Sequence, residues 1–276
     1  MDVHVGSAVA AALVAARRAQ TRLDGFPGDI PATLTEAYEI QDEAVTLRGE
    51  RVAGWKVGLI HPAWRDRAGA ARLVGPVVES LLGPVPAGRL VFAAVPGGTA
   101  CVEAEIALVV GRDVPAGDRD WTLDDARAHA GAVRLAVELA GSPVPDINGL
   151  GPMAVAADFG NNAGVALGPE VDGTAGDGTG GAWLDLRCET RVDGVLVGSA
   201  TPGDAPDGGP LEAFRHALQV CTARGHALRA GDVVATGAIT GVHDVIPGQH
   251  AVLRFGDLFQ VEIDVVEAPL GPTPPR

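Results

Sequence analysis

Lysine is almost missing from this chain. Of its 21 basic residues one is a lysine, Lys56, and the remaining 20 are arginines. A composition this heavy in alanine, glycine and arginine replaces lysine by arginine wherever positive charge alone is wanted. A lysine that survives the bias is a candidate for work arginine cannot do, such as giving up a proton near neutral pH; chance retention is the alternative. Positive charge is short as a whole, and the net charge is −14. That balance argues against nucleic acid or an anionic membrane as partner, since both select basic surfaces. It would also repel an anionic substrate, so such a ligand needs a local cation, for which a metal ion is the candidate.

Cysteine is scarce as well. Cys101, Cys188 and Cys221 are odd in number and far apart, without a C-x-x-C pair. This excludes a disulfide framework and fits reduced packing thiols in a cytoplasmic protein. No stretch of about 18 uninterrupted apolar residues is present, so no spanning helix is expected. The largely apolar segment from Val5 to Ala16 is followed by Arg17 and Arg18 and has no positive charge before it, the wrong order for a signal peptide. There is no G-x-S-x-G nucleophile elbow, and the seven histidines show no H-x-x-x-H spacing. The run Gly176–Gly181 is glycine-rich but does not link a strand to a helix, as a dinucleotide loop would.

What the chain does have is core material: 47% of its residues are hydrophobic. Residues 6–24 and 33–50 read as helices. The second starts with a Thr33-x-x-Glu36 capping box and lines up Leu34, Tyr38, Gln41 and Val45. From Val52 onward short apolar runs broken by glycine and proline predict strands. These include Cys101–Val110, Val133–Ala140, Trp183–Val192, Asp232–Thr236, Gln249–Phe255 and Phe259–Val266, with a hairpin turn at Asp193-Gly194. A short helix is expected from Thr122-x-x-Asp125, and an amphipathic one from Pro210, burying Leu211, Phe214, Leu218 and Cys221 and ending at Gly225. The expected fold class is α+β. Its organisation is a helical cap over residues 1–52, a β-rich core over 53–267 and a loose tail over 268–276.

The chemistry concentrates in Glu103-Ala104-Glu105. Residues two apart on a strand face the same way, about 7 Å apart at Cα, so these carboxylates lie side by side. Val102 and Ile106 through Val110 flank them with apolar side chains. Paired carboxylates in such surroundings repel and resist ionising unless a cation joins them. Glu138, inside Leu135–Ala140, is the natural third ligand, and an all-oxygen set of this kind suits Mg²⁺, Mn²⁺ or Ca²⁺. The competing reading is a charged, solvent-facing strand. His61 lies near Lys56 in sequence and is either a substrate-facing or a loop histidine.

Taken in order, several segments resemble the fumarylacetoacetate hydrolase superfamily, in its 2-keto-4-pentenoate hydratase and 4-oxalocrotonate decarboxylase branch. They are Ala37–Gln41, Gly54–Leu59, Val102–Leu108, Val137–Leu139, Asn161–Gly164 and Ala230–Gly237. The resemblance implies a mixed β-roll, homo-oligomeric assembly and Glu103, Glu105 and Glu138 around Mg²⁺ or a similar ion. It further implies Lys56 as acid/base and Thr236 and Gly237 at the substrate. Three places depart from the family pattern. Ser80, with Glu79 one residue early, stands where an acidic residue is usual, and both are candidate catalytic residues. Asn161-Asn162 replaces Asp-Asn and is a candidate substrate contact. Gly203–Pro210 replaces the usual loop before the late helix.

The implied activity is a metal-dependent lyase acting on a small 2-oxo acid. Hydration of a 2-hydroxy-2,4-dienoate comes first. The alternatives are decarboxylation of a 2-oxo-3-hexenedioate, then C–C hydrolysis or non-catalytic binding of a 2-oxo acid. A dioate would need a second cation, for which Arg65, Arg67 and Arg72 are the candidates unless they form a solvated helix face.

Overall fold

The computed structural model describes residues 5–171 and 181–269, so most of the glycine-rich loop and of the tail lies outside the described residues. In chain order the elements are α1 (Val5–Ala19), α2 (Leu34–Arg48), β1 (Val52–Leu59), α3 (Pro62–Ala68), β2 (Arg72–Val78), β3 (Leu82–Pro84), β4 (Arg89–Ala94) and β5 (Thr99–Val110). Then follow α4 (Leu123–His129), β6 (Ala130–Ser142), α5 (Ile147–Leu150), α6 (Pro152–Ala157), β7 (Asn162–Val171), β8 (Cys188–Val192) and β9 (Val195–Ala200). The chain closes with α7 (Gly209–Ala223), β10 (Val233–Ala238), β11 (His243–Asp244), β12 (His250–Phe255) and β13 (Phe259–Glu267).

The fold is α+β with two mixed sheets. One has the order β2-β1-β10-β5-β6-β7-β3, with β11 added alongside β5; the other runs β4-β13-β12-β8-β9. β1–β10, β3–β7 and β4–β13 pair parallel, and the other pairs are antiparallel. Strands β5 and β6 are the longest and lie inside the larger sheet, with β5 buried almost throughout and β6 buried from Leu135 to Ser142. Both faces of these strands are covered, which is why their sequence reads as near-continuous apolar runs. Glu103, Glu105 and Glu138 on them are therefore buried charges.

Local signals set several boundaries. Thr33 accepts from Glu36 N at the start of α2, and Thr122 with Asp125 forms a reciprocal capping box at α4. The Asp193-Gly194 turn has both residues at positive φ, the conformation a two-residue hairpin demands. Helix α7 buries Phe214, Leu218 and Cys221 completely against β1, β2 and β10. Each such aliphatic or aromatic side chain contributes about 2 kcal/mol through area removed from water.

Some boundaries differ from expectation. α1 stops at Ala19, short of residue 24, because Gln20 turns to φ 52° and Thr21 N closes onto Ala16 O. Trp183 begins no strand; Ala182–Asp185 form a single 3₁₀ turn that buries the indole, and β8 starts at Cys188. α3, α5 and α6 are too short for a helical period to show in sequence. The three cysteines are free and buried.

The N-terminal helices are tied to the sheets. Val9, Leu13, Leu34 and Tyr38 share one apolar cluster with Ile106, Leu135 and Phe214. Tyr38 Oη accepts from Val74 N at 3.1 Å, and the fully buried Gln41 donates to Val74 O and Ala156 O at 3.1 and 2.6 Å. Burying an amide costs several kcal/mol unless it is bonded in this way. Among the described residues, no helix is long and apolar enough to cross a membrane.

Candidate metal centre and active site

Cross-strand register assembles the carboxylates. Glu103 on β5 pairs directly with Glu138 on β6, and Glu105 follows on the same face two residues later. One oxygen from each of the three lies within 4.8 Å of the others. Exposure is 5% for Glu103 and 0% for Glu105 and Glu138. Like charges directly opposite on a sheet destabilise it, and burial sharpens the cost. Burial, followed by the charge of Glu138, pushes the Glu103 carboxyl up to about 7. Burial also raises Glu105 well above the carboxylate range, with Glu138 and Glu103 adding to it.

Lys56, on β1, is the cation set against them. Its Nζ lies 3.3 Å from Glu138 Oε1, and it is 5% exposed. The sequence predicts a lysine depressed by burial and a nearby metal ion together. Burial does pull it down, while the charges of Glu138, Glu103 and Glu105, taken without an ion's charge among them, raise it. Three carboxylates against one ammonium leave the cluster short of positive charge. Glu105 Oε1 and Glu138 Oε2 are buried without a hydrogen-bond partner. Unpaired buried oxygens on two of three converging carboxylates fit a hard divalent cation, and these three residues would hold it.

Two local devices aim the ligands. β10 pairs with β5 in register up to Ala235, slips, and resumes at Ala238 opposite Glu105. Within that slip Thr236 Oγ1 donates to Ile106 O at 2.7 Å, and Gly237, at φ 108°, donates its N–H to Glu105 Oε2 at 3.1 Å. An irregularity of this kind re-aims backbone groups beside a site. The second device is a left-handed turn. Phe159, Gly160 and Asn161 have φ of 56°, 64° and 64°, and Asn161 N closes onto Asp158 O at 2.8 Å. A non-glycine residue there costs about 1–2 kcal/mol, less for Asn. The turn ends at Asn162, whose Nδ2 donates to Glu138 Oε1 at 2.9 Å. A Cβ on Gly160 would come within 2.8 Å of Gly75 Cα and 3.0 Å of Lys56 Cδ, so the turn lies against the lysine stem.

A cavity of about 590 Å³ reaches this cluster at Glu103, and Lys56, Asn148 and Asn161 are the other polar residues of its lining besides His61. Leu59, Ile60, Trp64, Leu73, Val155 and Val242 line the remainder. His61 stands at the rim, where its Nδ1 caps α3 by accepting from Ala63 N at 3.3 Å. Asn161 Oδ1 is buried and unpartnered.

Glu79 and Ser80 are not brought here. Gly75, not Glu79, lies opposite Lys56 on β2, and Glu79 follows four residues later, roughly 13 Å along the strand. Its side chain is 67% exposed and lies 3.6 Å from Arg51. Ser80 is exposed too, and its hydroxyl is the main cause holding Glu50 below the usual carboxylate range. The arginines weighed for a second carboxylate also turn elsewhere. Arg65 binds Asp207 and Ile60 O, Arg67 lies over the ring of the cavity-lining Trp64 at 5.6 Å without itself lining the cavity, and Arg72 is buried in β2, donating to Pro206 O and Asp207 O. Sequence reasoning missed Asn148 and Trp64 at the cavity; neither sits in a pattern that marks it.

A family model described as fumarylacetoacetate (FAA) hydrolase C-terminal matches residues 85–272. The chain belongs to this family. Within it, a curated 2-keto-4-pentenoate hydratase of Burkholderia vietnamiensis is 33% identical over 231 residues, 78% of this chain and 79% of the relative. One of Paraburkholderia phymatum is 31% identical over 220 residues, 74% of this chain and 76% of the relative. Among solved structures, 4-oxalocrotonate decarboxylase from Pseudomonas putida G7, complexed with magnesium and adipate, superposes with a TM-score of 0.77 at 22% identity. The match covers 96% of this chain and 99% of the other. At that identity the likeness speaks for the fold alone.

Proposed function

We propose that the chain is a divalent-metal-dependent lyase that hydrates a 2-hydroxy-2,4-dienoate or the related 2-oxo-alkenoate carrying an uncharged tail. One observation carries the reading. Lys56 and Glu103 of the carboxylate cluster line a cavity together with Leu59, Ile60, Trp64, Leu73, Val155 and Val242, with His61 also in its lining, and none of Arg65, Arg67 and Arg72 is among its lining residues. An apolar wall accepts a vinyl or alkyl tail and penalises a second, unpaired carboxylate. The relatives at 31–33% identity carry the hydratase name, which supports the same choice.

Glu103, Glu105 and Glu138 would hold Mg²⁺, Mn²⁺ or Ca²⁺. Such an ion, when bound, supplies Lewis-acid stabilisation of negative charge developing on a 2-oxo oxygen. Gly237 N–H fixes the Glu105 carboxylate, and Asn162 Nδ2 fixes that of Glu138. Lys56 Nζ, held at Glu138 Oε1, keeps a proton at the inner end of the cavity and can pass it to a substrate atom lying beside it. Asn161 Oδ1 offers a free acceptor at the same end, suited to orienting a water or a substrate hydroxyl. Leu59, Ile60 and Trp64 exclude water from the tail.

The test supplies 2-hydroxypenta-2,4-dienoate and 2-oxohex-3-enedioate separately with Mg²⁺ or Mn²⁺, following water addition and CO₂ release. Hydration of the dienoate is expected. CO₂ from the dioate without hydration of the dienoate replaces the proposal by the decarboxylase reading. Turnover of neither, with oxalate still bound to the metal-loaded protein, replaces it by the binder reading.

A further inference from the structure

Arg17, on α1, is engaged with more of the site's scaffold than any sequence signal announces. Its Nε and Nη2 grip both carboxylate oxygens of Asp158 at 2.5 and 2.9 Å, and Nη2 also reaches Asp158 O at 3.1 Å. Nη1 donates to Asn162 O and Nη2 to Gly141 O, each at 2.9 Å. The guanidinium also lies 5.3 Å from the centre of the Phe159 ring. One side chain thus holds β6 just beyond Glu138, both ends of the left-handed turn, and the first residue of β7.

The carboxylate it meets is fully buried, and Ser142 Oγ adds a 2.5 Å bond to Asp158 Oδ2. Burying an ion pair gains little over apolar packing of the same volume, so such a pair is retained where it specifies one geometry. Here the geometry in question is a turn of three residues at positive φ, which the backbone does not adopt unaided. That turn presses Gly160 against the Lys56 stem, presents Asn161 to the cavity, and delivers Asn162 to Glu138.

We propose that Arg17 is a positioning residue for the metal centre, acting through Asp158 and the left-handed turn on Glu138 and Lys56. The inference rests on the metal reading of the three glutamates and is independent of which reaction follows. Partners that orient a metal's ligands without touching it set its affinity by about 10–100-fold.

The test compares the full-length parent with Arg17→Met and with the double variant Arg17→Met/Asp158→Asn. Mn²⁺ affinity is measured by calorimetry, oxalate affinity on the Mn²⁺-loaded protein, thermal midpoint by circular dichroism, and backbone hydrogen exchange over residues 157–163. The expected result is a folded Arg17→Met with Mn²⁺ bound at least about tenfold more weakly and faster exchange confined to that segment. The double variant, which removes both buried charges, should regain much of any lost thermal midpoint while Mn²⁺ affinity stays low. A thermal midpoint that falls with Mn²⁺ affinity within twofold of the parent reduces Arg17 to a structural ion pair, as does recovery of both quantities in the double variant. If the single variant does not fold, the double variant alone decides on the same criterion. A parent that binds no Mn²⁺ overturns the metal reading and this proposal together.

Discussion

Replacing Glu105 by glutamine should make the metal-free protein more stable while removing its response to metal. The glutamine keeps an acceptor for Gly237 N–H and nearly the same volume, but withdraws one of three mutually repelling carboxylates. A carboxyl whose folded pKa is raised holds its proton more tightly folded than unfolded. Stability therefore declines as pH rises from the ordinary value of 4.5, and keeps declining until the folded pKa is passed. The penalty cannot exceed the cost of keeping the group protonated, about 1.4 kcal/mol per pH unit above 4.5. At pH 6 that ceiling is about 2 kcal/mol and at pH 8 about 5 kcal/mol, roughly 10 °C in thermal midpoint. Urea and thermal unfolding of chelator-treated protein at both pH values should show parent and Glu105→Gln diverging as pH rises. Adding Mg²⁺ or Mn²⁺ at a hundredfold excess over Kd should then return about 3 kcal/mol to the parent and nothing to the variant. Parallel pH profiles, or an undiminished metal response in the variant, would refute the account of the site as a repelling triad neutralised by a cation.

Lys56→Arg keeps the charge but not the readily exchanged proton, so turnover should fall by about 10²-fold or more, read as kcat on the dienoate. Gly160→Ala puts a methyl 2.8 Å from Gly75 Cα and 3.0 Å from Lys56 Cδ at a φ of 64°, so thermal midpoint and kcat should fall together; an unchanged kcat means the turn does not constrain the lysine. His216 is half-buried with its Nε2 buried and unpartnered, and burial followed by Arg215 and Arg72 lowers its pKa to about 4. Its contribution is therefore complete above pH 6.5 and lost as pH falls toward 4, by at most about 3 kcal/mol. Unfolding of His216→Leu over that window should be flatter than the parent by about that amount.

The parts legible in sequence were those that local chemistry dictates. Alternation around Glu103 and Glu105 announces one strand face, Thr33 and Thr122 announce helix starts, and Asp193-Gly194 announces a hairpin. Other features depend on distances the sequence does not contain. The Arg17–Asp158 pair joins residues 141 apart. The balance at Lys56 between burial and three converging carboxylates depends on the cross-strand register that brings them together. Glu79 and Ser80 came from resemblance to a pattern this chain breaks, and three strand residues beyond Gly75 suffice to carry the segment to the surface. Arg72 shares a short arginine-rich segment with Arg65 and Arg67, yet it opens β2 and is buried while they decorate α3.

The three glutamates proposed as metal ligands stand on interior strands, whereas Leu59 comes from the end of β1, His61 from the cap of α3, Trp64 from α3, Asn148 and Val155 from α5 and α6, and Val242 from the segment after β10. Replacing a wall residue therefore leaves the backbone ladder that spaces the glutamates untouched. A laboratory library restricted to positions 59, 61, 64, 155 and 242 could exchange tail preference while each member keeps its ion-binding power. Selection for new substrates on this scaffold would then explore the lining one contact at a time, without passing through inert intermediates.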